Sequence, residues 1–149
     1  MDYALQSDFL QAIFRIKSIL AAELGKDSDS GISMPEYILM KSINNNVPLT
    51  EVREYLSISK PAISQILGGL EKKGYLIRET DKSDRRNLRL SLTPAGQVTF
   101  HQKESRLNAR FGKIAGSMEE EQLRQTIRLA SQFSDCITRI RKMPPEKKP

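Results

Sequence analysis

Hydrophobic positions near the start of the chain recur every three or four residues. Phe9, Ile13, Ile16 and Leu20 form one line, and Tyr3, Leu10 and Phe14 widen it. That spacing predicts an amphipathic helix from about Asp2 to Leu24. Gly25 ends it, and GKDSDSG (25–31) reads as a polar loop. Ser33-Met34-Pro35-Glu36 has the form of a capping box with proline inside the first turn. The helix it starts carries Tyr37, Ile38, Met40 and Ile43 and stops at Asn44-Asn45-Asn46. Thr50 is a candidate N-cap for the next helix, with Glu51 in its first turn and Val52, Tyr55 and Leu56 as its apolar face. Ser57-Ile58 breaks it. Ser59 can cap a further helix, where Pro61 lies early enough that its missing N–H costs little. Ile63, Ile66, Leu67 and Leu70 are that helix's stripe, and Gly74 follows Lys72-Lys73 as a C-terminal stop.

The period then changes from helical to two. Tyr75 to Thr80 reads as a strand, and from Asn87 to Leu92 the leucines Leu88, Leu90 and Leu92 face one way while Arg89 and Ser91 face the other. DKSDRR is the polar turn between them. Thr93-Pro94 starts another helix, to about Ala115, with Val98, Phe100, Leu107 and Phe111 as apolar positions. Ser117-Met118-Glu119-Glu120 looks like a second capping box. The last helix lines up Leu123, Ile127 and Ala130 beside Leu129, Phe133, Cys136 and Ile140. The tail RKMPPEKKP is rich in proline and lysine, and residues 144–149 are expected to be disordered.

A short helix, tight turn, second helix and hairpin outline a winged helix-turn-helix. The predicted class is therefore mainly α with a small β-hairpin wing (α+β). Residues 33–96 form the winged domain, and 1–32 with 97–143 form a helical region. Long amphipathic helices on both sides of so small a domain are hard to cover within one subunit. A two-fold dimer with interleaved terminal helices would bury them, whereas a monomeric helical cap over the winged domain is the other arrangement.

Charge narrows the partner. The 149 residues carry 24 Lys+Arg against 18 Asp+Glu, a net +6, with a pI near 9.5. This excess suits a polyanion such as nucleic acid, although mild basicity is common among cytosolic proteins. Cys136 is the only cysteine, so no intrachain disulfide can form. No apolar run approaches the ~20 residues of a membrane span, and MDYALQSDFLQAI lacks a signal peptide's basic start. A cytoplasmic protein is expected.

Catalytic chemistry is not apparent. His101 is the single histidine, and no Cys/His cluster has zinc-ligand spacing. Asp81 and Asp84 are flanked by Lys82, Arg85 and Arg86, which suits a turn better than a carboxylate pair. Gly68-Gly69 lies within a helical pattern and does not fit a phosphate loop. No catalytic residue, metal or cofactor is predicted. Cys136, between Phe133 and Ile140, reads as a small buried hydrophobe; an oxidant sensor is the sharper alternative.

With Ile63, Leu67 and Leu70 buried, the opposite face of their helix shows Lys60, Pro61, Ser64 and Gln65. Gln65 can pair with an adenine edge, and Pro61 or Ala62 can touch a thymine methyl; Lys60 and Ser64 suit phosphate or mixed contacts. A solvated surface residue is the plainer reading of Gln65. Arg85 and Arg86, at the wing tip, suit a narrow minor groove, or one of them braces the hairpin against Asp81 or Asp84.

SISKPAISQILGGLEKKGYLIRETDKSDRRNLRLSLTPAG (57–96) strongly resembles the MarR family of transcription regulators. The resemblance rests on the Ser-capped helix, on Leu70-Glu71-Lys72-Lys73-Gly74, on Asp81-Lys82-Ser83-Asp84-Arg85-Arg86, and on Leu92-Thr93-Pro94-Ala95-Gly96. The order of the remaining helices agrees, so it covers nearly the whole chain. It implies an obligate homodimer that sets a recognition helix in each major groove and a wing in the minor groove of a pseudo-palindromic duplex. It also implies a regulator, most often a repressor, released by a small aromatic or lipophilic acid. Phe14, Met34, Tyr37, Ile38 and Met40, with Arg15 or Lys17, are candidates for such an effector pocket, and plain core packing is the alternative for each. The chain departs from the family at Gly68, where many members carry an acid that resembles a partner for a wing arginine. The rival readings are a winged-helix module for a protein or RNA, and a small enzyme.

Overall fold

Helix ends set by side-chain caps and left-handed residues divide the described residues into eight elements. The computed structural model describes residues 2–25, 31–80 and 88–143. Its elements run α1 (Tyr3–Gly25), α2 (Met34–Asn44), α3 (Leu49–Leu56), α4 (Lys60–Lys72), β1 (Leu76–Thr80), β2 (Leu88–Leu92), α5 (Pro94–Gly116) and α6 (Glu120–Lys142). The predicted mainly α class with one hairpin is what the chain adopts. The 25–31 loop is described only at Gly25 and Gly31. The DKSDRR turn with Arg85 and Arg86, and the 144–149 tail, lie outside the described residues.

Two compact units result, Met1–Arg106 and Leu107–Pro149. The core of the first is built around α2, which buries Tyr37, Leu39, Met40 and Ile43. Val52 of α3, Ile63, Leu67 and Leu70 of α4, Leu76 of β1 and Phe100 of α5 are buried as well. Phe100 stacks on Tyr37 with ring centroids 5.5 Å apart. The Tyr37 hydroxyl, Lys41 and Glu104 then form a polar cluster, with the Lys41 ammonium 3.2 Å from Glu104 Oε1.

The caps explain the boundaries. The Ser33–Glu36 capping box is formed in both directions. At the end of α4, Tyr75 N–H donates to Leu70 and Gly74 N–H to Glu71, with Gly74 at φ +72°. This double closure needs a left-handed residue, which glycine adopts without a Cβ clash. The hairpin is antiparallel, pairing Leu76 with Leu92, Arg78 with Leu90 and Thr80 with Leu88. Leu76, Leu90 and Leu92 therefore share one face, as the alternation predicts.

Four expectations are corrected. α3 starts at Leu49 rather than behind a Thr50 cap, because the Glu51 and Val52 N–H groups already donate to Pro48 O. Tyr55 is 76% exposed; α3 packs chiefly on α2, and so short a contact buries only the line through Val52. Val98 is exposed as well. The buried line of α5 is Gly96, Phe100, Lys103 and Leu107, at helical spacing. The last capping box is one register later, between Glu119 and Gln122, because Ser117 closes α5 by donating to Ile114 O.

α1 and α6 contrast with this core, for neither holds a buried residue. Phe9, Leu10, Phe14 and Ile16 are more than half exposed on α1, as are Ile127, Leu129 and Ile140 on α6. Cys136 is exposed too, against the expectation of a buried hydrophobe, with Arg139 Nη2 3.4 Å from its sulfur. No described helix is long and apolar enough to cross a membrane.

Candidate nucleic-acid interface

The turn between α3 and α4 is closed by its own backbone. Ser57 is left-handed at φ 55°, and the Ile58 N–H returns to Arg53 O. Ser59 then caps α4, its Oγ accepting from the Ala62 N–H at 3.3 Å, with Pro61 in the first turn. These contacts fix where α4 begins, and burial of Ile63, Leu67 and Leu70 fixes its rotation. The consequence is the predicted display: Lys60, Pro61, Ser64 and Gln65 are exposed and Ala62 is half-buried. Ser64 Oγ donates to Lys60 O at 3.2 Å, which leaves its lone pairs outward. Pro61, Gln65, Gly68 and Lys72 follow one another along the side opposite the buried stripe, a run wide enough to lie in a groove.

The C-terminal end of α4 is tied down in three ways, the first two of them between side chains that no local pattern links. Glu71 accepts from Arg78 Nε of β1 at 2.6 Å, so the wing's first strand is braced at its root. The acid missing at position 68 is therefore not the hairpin's only means of attachment. Lys73 Nζ reaches Glu36 at 2.8 and 3.1 Å and the Gly31 carbonyl at 3.0 Å. Burial pushes the Glu36 carboxyl up, but hydrogen bonds from Lys73 and from the Ser33 backbone and hydroxyl outweigh it and hold the group below the usual carboxylate range.

The third tie is the junction of wing and α5. Thr93 Oγ1 donates to Gly74 O at 2.6 Å and accepts from the Gly96 N–H at 3.0 Å, while the Thr93 N–H donates to Tyr75 O. A Cβ on Gly96 would overlap that Tyr75 carbonyl and lie 2.9 Å from its carbon. The Leu-Thr-x-x-Gly return was the legible signal: a hydroxyl to cap the helix, and a residue without a side chain one turn later.

The proposed effector residues separate. Tyr37 and Met40 are core, Ile38 is half-buried, and Phe14 and Arg15 are exposed on α1. Lys17 is exposed on α1 as well, whereas Met34 lines a cleft of about 490 Å³, with Leu24 and Ile32 as further apolar wall. Its polar wall is Ser33, Glu36, Lys73 and Lys103, between the backbones of Gly25 and Gly31. Lys103 is only 2% exposed, on the buried line of α5 between Phe100 and Leu107. Among the described residues no cluster of three or more His, Cys, Asp or Glu could hold a metal ion.

Comparison with known proteins agrees with this geometry. Residues 31–87 match the model of the MarR family. A MarR-family transcriptional regulator from Rhodococcus sp. RHA1 is 18% identical over 89% of this chain and 96% of its own, with a TM-score of 0.72. CouR from Rhodococcus jostii RHA1, solved bound to p-coumaroyl-CoA, is 19% identical over 89% and 96%, with a TM-score of 0.76. FabT from Streptococcus pneumoniae, solved in complex with DNA, is 24% identical over 93% and 99%, with a TM-score of 0.63. Identities this low speak for the fold. The capped turn, exposed α4 face and braced hairpin are thus those of a winged helix-turn-helix fold, and over residues 31–87 the chain is similar to the MarR family.

Proposed function

We propose that the protein is a dimeric, sequence-specific DNA-binding regulator that occludes a promoter and leaves it when a small acidic effector binds. The reading is carried by the exposed run Lys60, Pro61, Ser64 and Gln65 on a helix whose other side is buried. In a major groove, Gln65 reads an adenine edge, Pro61 and Ala62 meet thymine methyls, and Lys60 and Ser64 hold phosphates. Arg85 and Arg86 are assigned to the minor groove. The exposed apolar faces of α1 and α6 support assembly with a second copy, since monomers rarely leave such surface in water. Two recognition helices then meet half-sites about 34 Å apart on a pseudo-palindrome. The effector is assigned to the cleft beside Met34, where an apolar wall faces Lys73 and Lys103. DNA-bound and ligand-bound structures of similar fold support both assignments.

Footprinting of the purified protein on its own upstream region, with and without phenolic acids, tests this. A protected pseudo-palindrome is expected, and no protected site would remove the autoregulated repressor. On that site Gln65→Ala should relax base preference at one position in each half. Lys60→Ala should weaken all sequences alike and lower the salt slope by about one.

A further inference from the structure

Glu36 and Lys73 belong to two places at once. They line the cleft, and they join α2 to the recognition helix, because Lys73 is the C-cap of α4. The Glu36 carboxylate is held by the Ser33 N–H at 2.7 Å and by Lys73 at 2.8 and 3.1 Å, and its side chain is only 12% exposed. Two residues before Lys73, Glu71 holds the root of the wing through Arg78. One turn of helix therefore connects cleft, reading head and hairpin.

We propose that the Glu36–Lys73 pair is the link through which cleft occupancy controls the seating of the recognition helix. An acid in the cleft competes with Glu36 and with the Gly31 carbonyl for the Lys73 ammonium. When Lys73 turns to the ligand, the last turn of α4 loses its tie to α2, and the Glu71–Arg78 brace moves with it. The ligand this link answers to is one whose acidic group reaches Lys73 while its apolar body lies against Leu24, Ile32 and Met34. This rests on the DNA-binding and effector reading above, and both residues act by positioning.

The test uses full-length wild type, Glu36→Gln and Lys73→Gln, with operator and random duplexes, and sodium benzoate against benzyl alcohol as probes. Each substitution should lower operator affinity about tenfold, the worth of a charge-assisted hydrogen bond. Glu36→Gln removes a negative charge, so a purely electrostatic role predicts tighter binding to every duplex. The positioning role predicts random-duplex affinity within about twofold of wild type and faster hydrogen exchange at Lys73, Gly74 and Tyr75. Benzoate, and not benzyl alcohol, should release operator from wild type and have little further effect on either variant. Equal release by benzoate from the variants, or wild-type operator affinity and exchange in Glu36→Gln, overturns the link and leaves the regulator reading standing. A wild type indifferent to benzoate overturns the cleft as the trigger. Absence of operator binding by wild type sinks the regulator reading instead, and hydrogen exchange in Glu36→Gln still decides whether the pair seats α4.

Discussion

The winged domain and the terminal helices use the same amino acids to opposite ends. Around α2, aliphatic side chains are buried, caps are formed, and the last turn of α4 is tied to α2, to β1 and, through Gly74 and Thr93, to the start of α5. α1 and α6 are as regular and as amphipathic, yet bury nothing within the single chain. The difference separates two requirements. A reading head must hold its shape alone, because groove contacts depend on sub-ångström placement of a few side chains. An assembly helix, the role proposed for α1 and α6, needs only a continuous apolar line, because a second copy would supply the other wall.

The sharpest way to break the reading head is through its tightest backbone approach. Gly96→Ala places a methyl group against the Tyr75 carbonyl, where neither backbone can yield without opening the wing–α5 junction. A loss of about 3 kcal/mol or more in unfolding free energy is expected, at the upper end for overpacking, measured by urea denaturation. Gly68→Ala, where an added Cβ meets nothing within 4 Å, serves as the control. On the other side of the comparison, Phe9→Asp changes a residue that is half exposed in the single chain. It should leave the packing of the winged domain intact and move the protein from dimer to monomer in sedimentation. Operator affinity should fall about a hundredfold, because two linked half-sites become independent. A Phe9→Asp protein that stays dimeric would show that α1 is not the assembly surface.

The same contrast decides what was legible in the sequence. Periodicity placed all six helices and both strands, since local caps and turn residues agreed with it: Ser33 with Glu36, Ser59 with Pro61, and Gly74 behind two lysines. It named the reading face correctly as exposed, because one buried stripe on α4 leaves one possible opposite side. Contacts between elements distant in sequence were not legible. Nothing local says that Lys103 is covered, that Lys73 reaches back to Glu36, or that Arg78 meets Glu71. The effector residues suffered most: Tyr37 and Met40 had the right chemistry, but α2 directs both into the core. Cys136 failed in the other direction, for its apolar neighbours on α6 are themselves uncovered.

Acid titration sharpens the comparison with a smaller effect. Glu36 has a folded-state pKa below its ordinary value of 4.5, so its ion pair stabilises the protein above that value and is lost as pH falls through the lowered one. The gap in stability between wild type and Glu36→Gln should accordingly be widest near neutrality and close under acid. Lys41 has the opposite sign. Its pKa is raised above 10.5 by hydrogen bonds from its ammonium to Tyr37 and Glu104, so its contribution is complete below that value and disappears only in strong alkali. Terminal-helix variants such as Phe9→Asp should leave the acid-dependent gap at Glu36 unchanged. A gap that does not narrow below the ordinary carboxylate range would mean that Glu36 is not held by Lys73 and Ser33 in solution.

The smallest expected effect is at Gly68, and its sign carries the information. A Cβ added there meets nothing within 4 Å, and one at Gly69 meets only Glu36 Oε1 at 3.8 Å, an ordinary contact. Packing therefore does not require either glycine. Each leaves the helix less stable than alanine by about 0.5–1 kcal/mol. Gly68→Ala should raise stability by roughly that amount, about 2–4 °C in melting temperature for a chain of this size. The added methyl group projects from the outward side of α4, one turn beyond Gln65 and beside Lys72, the surface assigned to DNA. If operator affinity falls while stability rises, the bare backbone is needed for close approach of the duplex, and the reading face extends to the middle of the helix. If affinity is unchanged, readout ends at Gln65. If stability falls instead, α4 has a neighbour at position 68 in solution beyond those among the described residues.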